Sequence, residues 1–225
     1  MPGFYLTGTD TGAGKTFATC ALLLAARAAG HSALGMKPVA SGCQWTEQGW
    51  RNEDALALIA HASEAVEYAH VNPYPLPAAT APEIAAALAG TEIELAPILA
   101  AHAALAARAE WVFVEGVGGW LAPLSHTLDQ PALARALGLP VILVVGLRLG
   151  CLNHARLSTR AILADGFALA GWIACDVDPG LEYAGEYFEA LRRLLPAPLL
   201  GRLPHVGDRG PAAVAGRVRL PDPGL

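Results

Sequence analysis

Residues 4 to 16 read FYLTGTDTGAGKT: an apolar run, a turn with glycines at 8, 12 and 14, and a Lys-Thr pair heading an Ala- and Leu-rich stretch. The apolar run suits a strand and the residues from Lys15 onward suit a helix. The glycines lie where the chain must turn sharply and present backbone N–H groups to an anion at a helix start. Strand, glycine loop and helix in this order are the first half of a βαβ unit. The strict phosphate-loop pattern G-x-x-x-x-G-K-[ST] requires Gly at position 9, where this chain has Thr9, so the loop is one residue longer than the pattern.

The rest of the chain repeats the alternation of short β-rich runs with longer Ala/Leu-rich stretches, as βαβ units around a parallel sheet do. Strands are expected at Gly3 to Thr7, Ala33 to Lys37, Trp111 to Glu115, Val141 to Val145, Leu169 to Ala174 and Leu199 to Arg202. Several are apolar on both faces, which fits strands covered on both sides. Helices are expected at Lys15 to Ala29, Asp54 to His61, Ile93 to Arg108, Gln130 to Leu137, Asn153 to Asp165 and Leu181 to Leu195. The Pro-rich segment at 71 to 82, VNPYPLPAATAP, reads as an ordered surface loop. The Gly/Pro-rich tail from Pro211 to Leu225 reads as partly mobile. The expected fold class is α/β: a P-loop nucleoside triphosphatase fold, a mostly parallel central sheet with helices on both faces, in one domain over residues 1–225.

Composition narrows the function classes. Hydrophobic residues make up 54% and charged residues 16%, yet no uncharged apolar run reaches the roughly 18 residues of a membrane span. No basic region followed by an apolar core and a cleavage site opens the chain, so the expectation is a cytoplasmic protein. A net charge of -5, with 15 scattered basic residues, argues against a nucleic-acid or anionic-membrane partner and for a small soluble one. The four cysteines, at 20, 43, 151 and 175, form no C-x-x-C pair, and neither a zinc site nor a disulfide framework is expected.

Chemistry concentrates at the ends of the expected strands. Lys15 would neutralise β and γ phosphates and the Thr16 hydroxyl would ligate magnesium. Lys37 ends a strand just before Pro38, at the edge where open α/β sheets bind ligands. Asp54 stands in the first turn of a helix, favoured by the dipole or acting as its cap. Glu115 ends an apolar strand and is followed by glycines at 116, 118 and 119, so its burial calls for a metal or another cation. Asn153 opens a helix, either as its cap or where the helix N-terminus receives an anionic group.

These residues, in order, resemble the dethiobiotin synthetases over nearly the whole chain. The segments that carry the resemblance are GTDTGAGKT, KPVASG, DALAL, VEGVGGWLAPLS, PVILVVGLRLGCLNHA, GWIACDV and PAPLLG, and the long loop spacing is normal for that family. The resemblance implies ATP- and magnesium-dependent closure of 7,8-diaminononanoate with CO2 to dethiobiotin, through a carbamate and a carbamic-phosphoric anhydride. It implies that Lys37, Lys15 and Thr11 serve catalysis and that Thr16, Asp54 and Glu115 hold the metal. It places Gly12, Ala13, Gly14, Lys15, Thr16, Phe17, Asp54, Glu115, Gly116, Val117 and Gly118 around the nucleotide, with Cys175, Asp176, Pro204, His205 and Val206 at its base. It assigns Ser41, Asn153 and Tyr187 to the substrate, the last two gripping its tail carboxylate across a homodimer interface.

Two positions depart from the family. Gly12 replaces a bulkier or charged residue, and Cys175 stands where Asn commonly recognises adenine. A thiol cannot make the paired donor and acceptor bonds of an amide, so looser base selectivity is expected. The competing function is a nucleotide-switch ATPase of the septum- or chromosome-positioning type. Such switches carry an extra Lys early in the loop, where this chain has Thr9, Asp10 and Thr11.

Overall fold

The computed structural model describes residues 3–224. Strand β1 (Gly3–Gly8) feeds helix α1 (Lys15–Ala28) through the glycine loop, and α1 returns the chain to β2 (Ala33–Met36). An excursion follows: β3 (Val39–Ser41), the hairpin of β4 (Gln44–Thr46) and β5 (Gly49–Arg51), α2 (Glu53–His61), α3 (Tyr68–Val71) and β6 (Tyr74–Leu76). Helices α4 (Pro82–Ala89) and α5 (Leu95–Ala106) lead to β7 (Trp111–Gly119). The second half alternates regularly through α6 (Gln130–Leu137), β8 (Val141–Gly146), α7 (Cys151–Ala164), β9 (Leu169–Cys175), α8 (Ala184–Leu194) and β10 (Leu199–Leu203).

Six strands form the central sheet in the order β10-β9-β8-β1-β7-β2, every neighbouring pair parallel. Strand β8, VILVVG, is buried along its whole length, because apolar cores cover both faces of the sheet. On one face Phe4, Leu6, Phe113 and Ile142 pack with Leu22 and Leu23 of α1 and Leu58 of α2. On the other, Tyr5, Val114 and Leu143 pack with Ile98 of α5, Leu133 of α6 and Ile162 of α7. The chain leaves β1 toward β2 on one side and later reaches β8 on the other. Such a reversal of strand order opens a crevice at the carboxyl edge of β1. Among the described residues no helix is long and apolar enough to cross a membrane.

The expected strands and helices are present, with shifted ends. Strand β7 continues past Glu115 to Gly119, α5 starts at Leu95 and α8 starts at Ala184. The Pro-rich segment is more structured than a loop. Its β6 pairs with β3 in a separate two-stranded sheet, which tolerates Pro75 as a central strand would not. Pro82 then opens α4 at a first-turn position, where the missing N–H costs nothing.

The tail departs from expectation most. Residues Pro211–Arg217 form a 3₁₀ helix, Val214 and Val218 are buried, and Val218 bridges Gly201. Arg219 donates from its backbone to Leu200 O at 2.9 Å and from Nε to Leu199 O at 2.8 Å. The segment lies close against β10; Leu225 is outside the described residues. A Cβ at Gly201 would lie 2.3 Å from Arg217 O. Gly201→Ala is therefore expected to push the tail off the sheet at a cost of about 1–3 kcal/mol. A thermal melt with limited proteolysis checks this: an unchanged midpoint and an uncut tail would contradict the close approach.

Candidate active site

The loop after β1 is shaped by its glycines. Gly12 (φ 70) and Gly14 (φ 88) both sit in the left-handed region, and Gly14 is the N-cap of α1 with no side-chain cap bond. The first turn of α1 holds no acidic residue, so its free N–H groups keep their positive field. Lys15, almost buried, folds back across the loop, donating from Nζ to Gly118 O at 2.8 Å and to Asp10 O at 3.0 Å. Burial first, and then the Lys37 ammonium, pull its pKa down to about 8. The extra loop length is pinned from outside: Arg148 Nη2 reaches Asp10 Oδ2 at 2.8 Å, and the other Asp10 oxygen accepts Thr11 N at 2.7 Å.

Lys37, Asp54, Thr16 and Glu115 converge from four elements. Lys37 is placed by its backbone, which donates to Val71 O and whose carbonyl accepts Asn72 Nδ2 at 2.7 Å. Its Nζ lies 2.6 Å from Glu115 Oε1 and 2.9 Å from Asp54 Oδ2. Thr16 Oγ1 donates to the same Glu115 oxygen at 2.8 Å. Glu115 is fully buried, a placement that would be prohibitive without a counter-charge. Burial alone would lower the Lys37 pKa, but Glu115 and Asp54 beside it hold it above the usual range. Burial would likewise raise Asp54, and Lys37 overrides it and holds the carboxyl low.

Glu115 Oε2 is buried with no hydrogen-bond partner. That orphaned acceptor, the Asp54 carboxylate and the Thr16 hydroxyl form a hard oxygen set that fits a magnesium-like cation. Such an ion takes one or two carboxylates and completes its shell with substrate phosphates and water. Among the described residues no group of three or more His, Cys, Asp or Glu could hold a metal without such help.

Two adjoining cavities share Gly14 and Phe17. The larger, about 750 Å³, is lined by Thr11, Gly12, Lys15, Thr16, Lys37, Ser41, Asp54, Glu115, Val117 and Gly118. The smaller, about 280 Å³, is lined by Cys175, Asp176, Pro204, His205 and Val206. The Cys175 thiol lies 3.7 Å from Gly14 O, and burial pushes its pKa up to about 12. Arg202 holds Asp176 with two bonds of 3.0 and 3.1 Å. Ala13, within the loop, is buried and lines neither cavity, and the Gly116 carbonyl lies 3.4 Å from Lys37 Nζ.

Asn153 and Tyr187 line neither cavity. The cap of α7 is Gly150 (φ 92), not Asn153, which is an exposed residue of the first turn. Tyr187 is half-buried against the core. Asp54 is not a cap either: Asn52 caps α2, accepting from Asp54 N at 3.0 Å and Ala55 N at 3.3 Å, which leaves the Asp54 carboxylate for Lys37. Sequence reasoning also missed Arg148, Asn72 and the wall of the larger cavity at residues 79–82. The cap had a visible signal, since Asn is favoured at that position. Arg148 and Asn72 bond to partners 138 and 35 positions away in the chain and had none.

A family model described as an AAA domain matches residues 2–213. The ATP-dependent dethiobiotin synthetase BioD of Xanthomonas oryzae pv. oryzae is 59% identical over 220 residues, 98% of each chain. That of Xylella fastidiosa is 56% identical over 219 residues, 97% of each. Among solved structures, a ParA family ATPase from Chlorobium tepidum TLS superposes with a TM-score of 0.56 at 15% identity, over 92% of this chain and 86% of the other. The cell division protein FtsY of Thermotoga maritima gives 0.57 at 16%, over 98% and 65%. These two likenesses show a shared P-loop nucleoside triphosphatase fold and no more. Identity above one half along almost the whole of both chains is a different matter: the chain belongs to the ATP-dependent dethiobiotin synthetase family.

Proposed function

We propose that this chain, as one domain, catalyses the ATP-dependent carboxylation and ring closure of 7,8-diaminononanoate with CO2 to dethiobiotin, a step of biotin biosynthesis. The observation that carries the reading is the convergence of Lys15, Lys37, Thr16, Asp54 and Glu115 in one cavity beside the glycine loop. One amine adds to CO2 and releases a proton, giving a carbamate. A carbamate oxygen takes the γ-phosphoryl group of ATP and becomes a leaving group. The second amine attacks the carbamate carbon, phosphate departs and a cyclic urea closes. Transfer of this kind needs alignment and charge stabilisation more than covalent help.

The chain's own groups fit those needs. The glycine loop and the start of α1 supply N–H donors to the phosphates, and Lys15 adds a charge at the β and γ positions. Lys37 faces the carbamate and transferring phosphoryl group, with the Thr11 and Ser41 hydroxyls orienting the diamine. Holding both amines in one cavity makes closure intramolecular, where effective molarities reach roughly 10⁵ M or more. Magnesium, held by Thr16, Asp54 and Glu115, would neutralise charge on the phosphates. Asn153 and Tyr187, outside both cavities, serve the substrate tail if a second copy brings them to the site, so the working form is a homodimer in the cytoplasm. ADP release that requires both the diamine and bicarbonate is the expected kinetic signature. ADP release at the same rate without the diamine would sink the reading.

The base sits in the smaller cavity. Its walls offer a thiol and an Asp176 already held by Arg202, so no side-chain amide reads the base. Sites that discriminate mainly by shape reach only about 10- to 200-fold, and other triphosphates are expected to support turnover within that range. A competition assay in which ATP excludes them completely would refute this.

A further inference from the structure

The end of β7 bows out of the sheet. While β1 advances from Leu6 to Gly8, β7 advances from Glu115 to Gly119, so residues 116–118 have no register with their neighbour. Bulges of this kind are placed where a strand must re-aim its groups. This one touches both lysines of the site, through Gly118 O at 2.8 Å from Lys15 Nζ and Gly116 O at 3.4 Å from Lys37 Nζ.

One side chain takes hold of the bow. Gln130 Nε2 donates to Val117 O at 2.9 Å, and Gln130 Oε1 accepts the Tyr5 hydroxyl. Both residues are buried, Tyr5 at 0% and Gln130 at 1% exposure. Gln130 is aimed inward as the first residue of α6, whose cap Asp129 accepts from Ala132 N at 2.8 Å. A Cβ at Gly116 would lie 2.8 Å from both Gln130 Oε1 and the Tyr5 oxygen, so only glycine lets the pair close over the bow. Burial, then Asp129 and Glu115, raise the Tyr5 pKa and keep its phenol a donor. A carbonyl only accepts, so the amide has one orientation that satisfies both partners.

We propose that Gln130 is a positioning residue for the reaction: with Tyr5 it pins residues 116–118, and through them sets the places of Lys15 and Lys37. The inference rests on the reading of those lysines as groups that face nucleotide and substrate. A misplacement of about 1 Å at such groups costs on the order of 10²-fold in rate.

Two substitutions separate positioning from bulk stability. Gln130→Met keeps the length and removes both bonds, and is expected to lower kcat about tenfold or more and to weaken a fluorescent Mg-ATP analogue, while still folded at the assay temperature. Gln130→Glu can serve both partners only when protonated, so its activity relative to the parent is expected to rise as pH falls. If the Met variant does not fold, Tyr5→Phe keeps the ring against Trp120 and removes only the hydroxyl, with a smaller loss in the same direction. Parental kcat and analogue affinity in the folded Met variant, or in Tyr5→Phe where it stands in, would overturn the proposal. So would a Glu variant whose ratio to the parent is flat with pH. Should the parent form no dethiobiotin, the functional reading fails by itself, and the analogue affinity still decides whether Gln130 holds the loop.

Discussion

Replacing Lys37 with Gln is expected to cut turnover about 10²- to 10³-fold, the usual loss when one preorganised electrostatic donor is removed. Divalent-cation affinity is expected to hold or rise. The reason is geometric: the Lys37 ammonium lies 2.6 Å from Glu115 Oε1 and 2.9 Å from Asp54 Oδ2. A magnesium-like cation held through the orphaned Glu115 Oε2 and the Asp54 carboxylate would draw on the same two negative charges, so the two cations compete for one carboxylate pair. Turnover measured beside manganese titration of the same sample checks both parts; lost turnover with lost metal affinity would contradict the competition.

That substitution also carries a stability cost. It leaves Glu115, at 0% exposure, without its counter-charge, and breaking a buried pair costs about 3–5 kcal/mol. Lys37 has a raised pKa in the folded chain, so its contribution is complete below the unfolded lysine value and disappears only as pH rises through the folded one. Asp54 is held low, so its contribution is present above the unfolded carboxylate value and is lost as pH falls through the folded one. The pair therefore stabilises across the neutral range, and the Gln variant should lose most stability there relative to the parent and least in acid.

Glu115→Gln is expected to match the turnover loss and to reverse the metal result. The amide keeps the shape and can still accept the Thr16 hydroxyl bond, but it removes one of the two carboxylates and leaves Lys37 with Asp54 alone. Cation affinity should fall by about tenfold or more, since losing one unit of charge at short range outweighs the retained hydrogen bond. Two variants with similar kcat and opposite shifts in manganese affinity would separate the roles of the lysine and the carboxylate. Parental manganese affinity in the Glu115→Gln protein would remove Glu115 from the metal set.

How much of this was legible depended on whether the signal was local. The phosphate loop, β1 and α1 share one short stretch, and each glycine there does a job that the spacing announces. Glu115 was legible because a charge ending an apolar strand needs an explanation; its partner Lys37 was found as a strand-end residue, but their contact was not. The three-residue strands β3 to β6 are too short for periodicity to register. Helix α4 was hidden by the prolines before it, although Pro82 is a helix opener. The tail looked loose because it lacks large side chains, whereas the missing Cβ of Gly201 is what lets its backbone lie against β10.

The least legible parts of the site are held over the longest distances in sequence. Tyr5 and Gln130 are separated by 125 positions and Asp10 and Arg148 by 138, and neither pair leaves a pattern in its own neighbourhood. Residues 51–54 read RNED, which offers several residues able to cap a helix; Asp54 reads as a candidate cap in the sequence, and only the fold shows that Asn52 does so while Asp54 turns to Lys37.

The most direct test of the central claim is mass spectrometry of the parent chain incubated with 7,8-diaminononanoate, ATP, magnesium and carbon-13 bicarbonate, with ADP quantified in the same sample. The account predicts dethiobiotin that carries the label in its ring carbonyl, formed one-for-one with ADP. Unlabelled product, or ADP accumulating without any dethiobiotin, would contradict it.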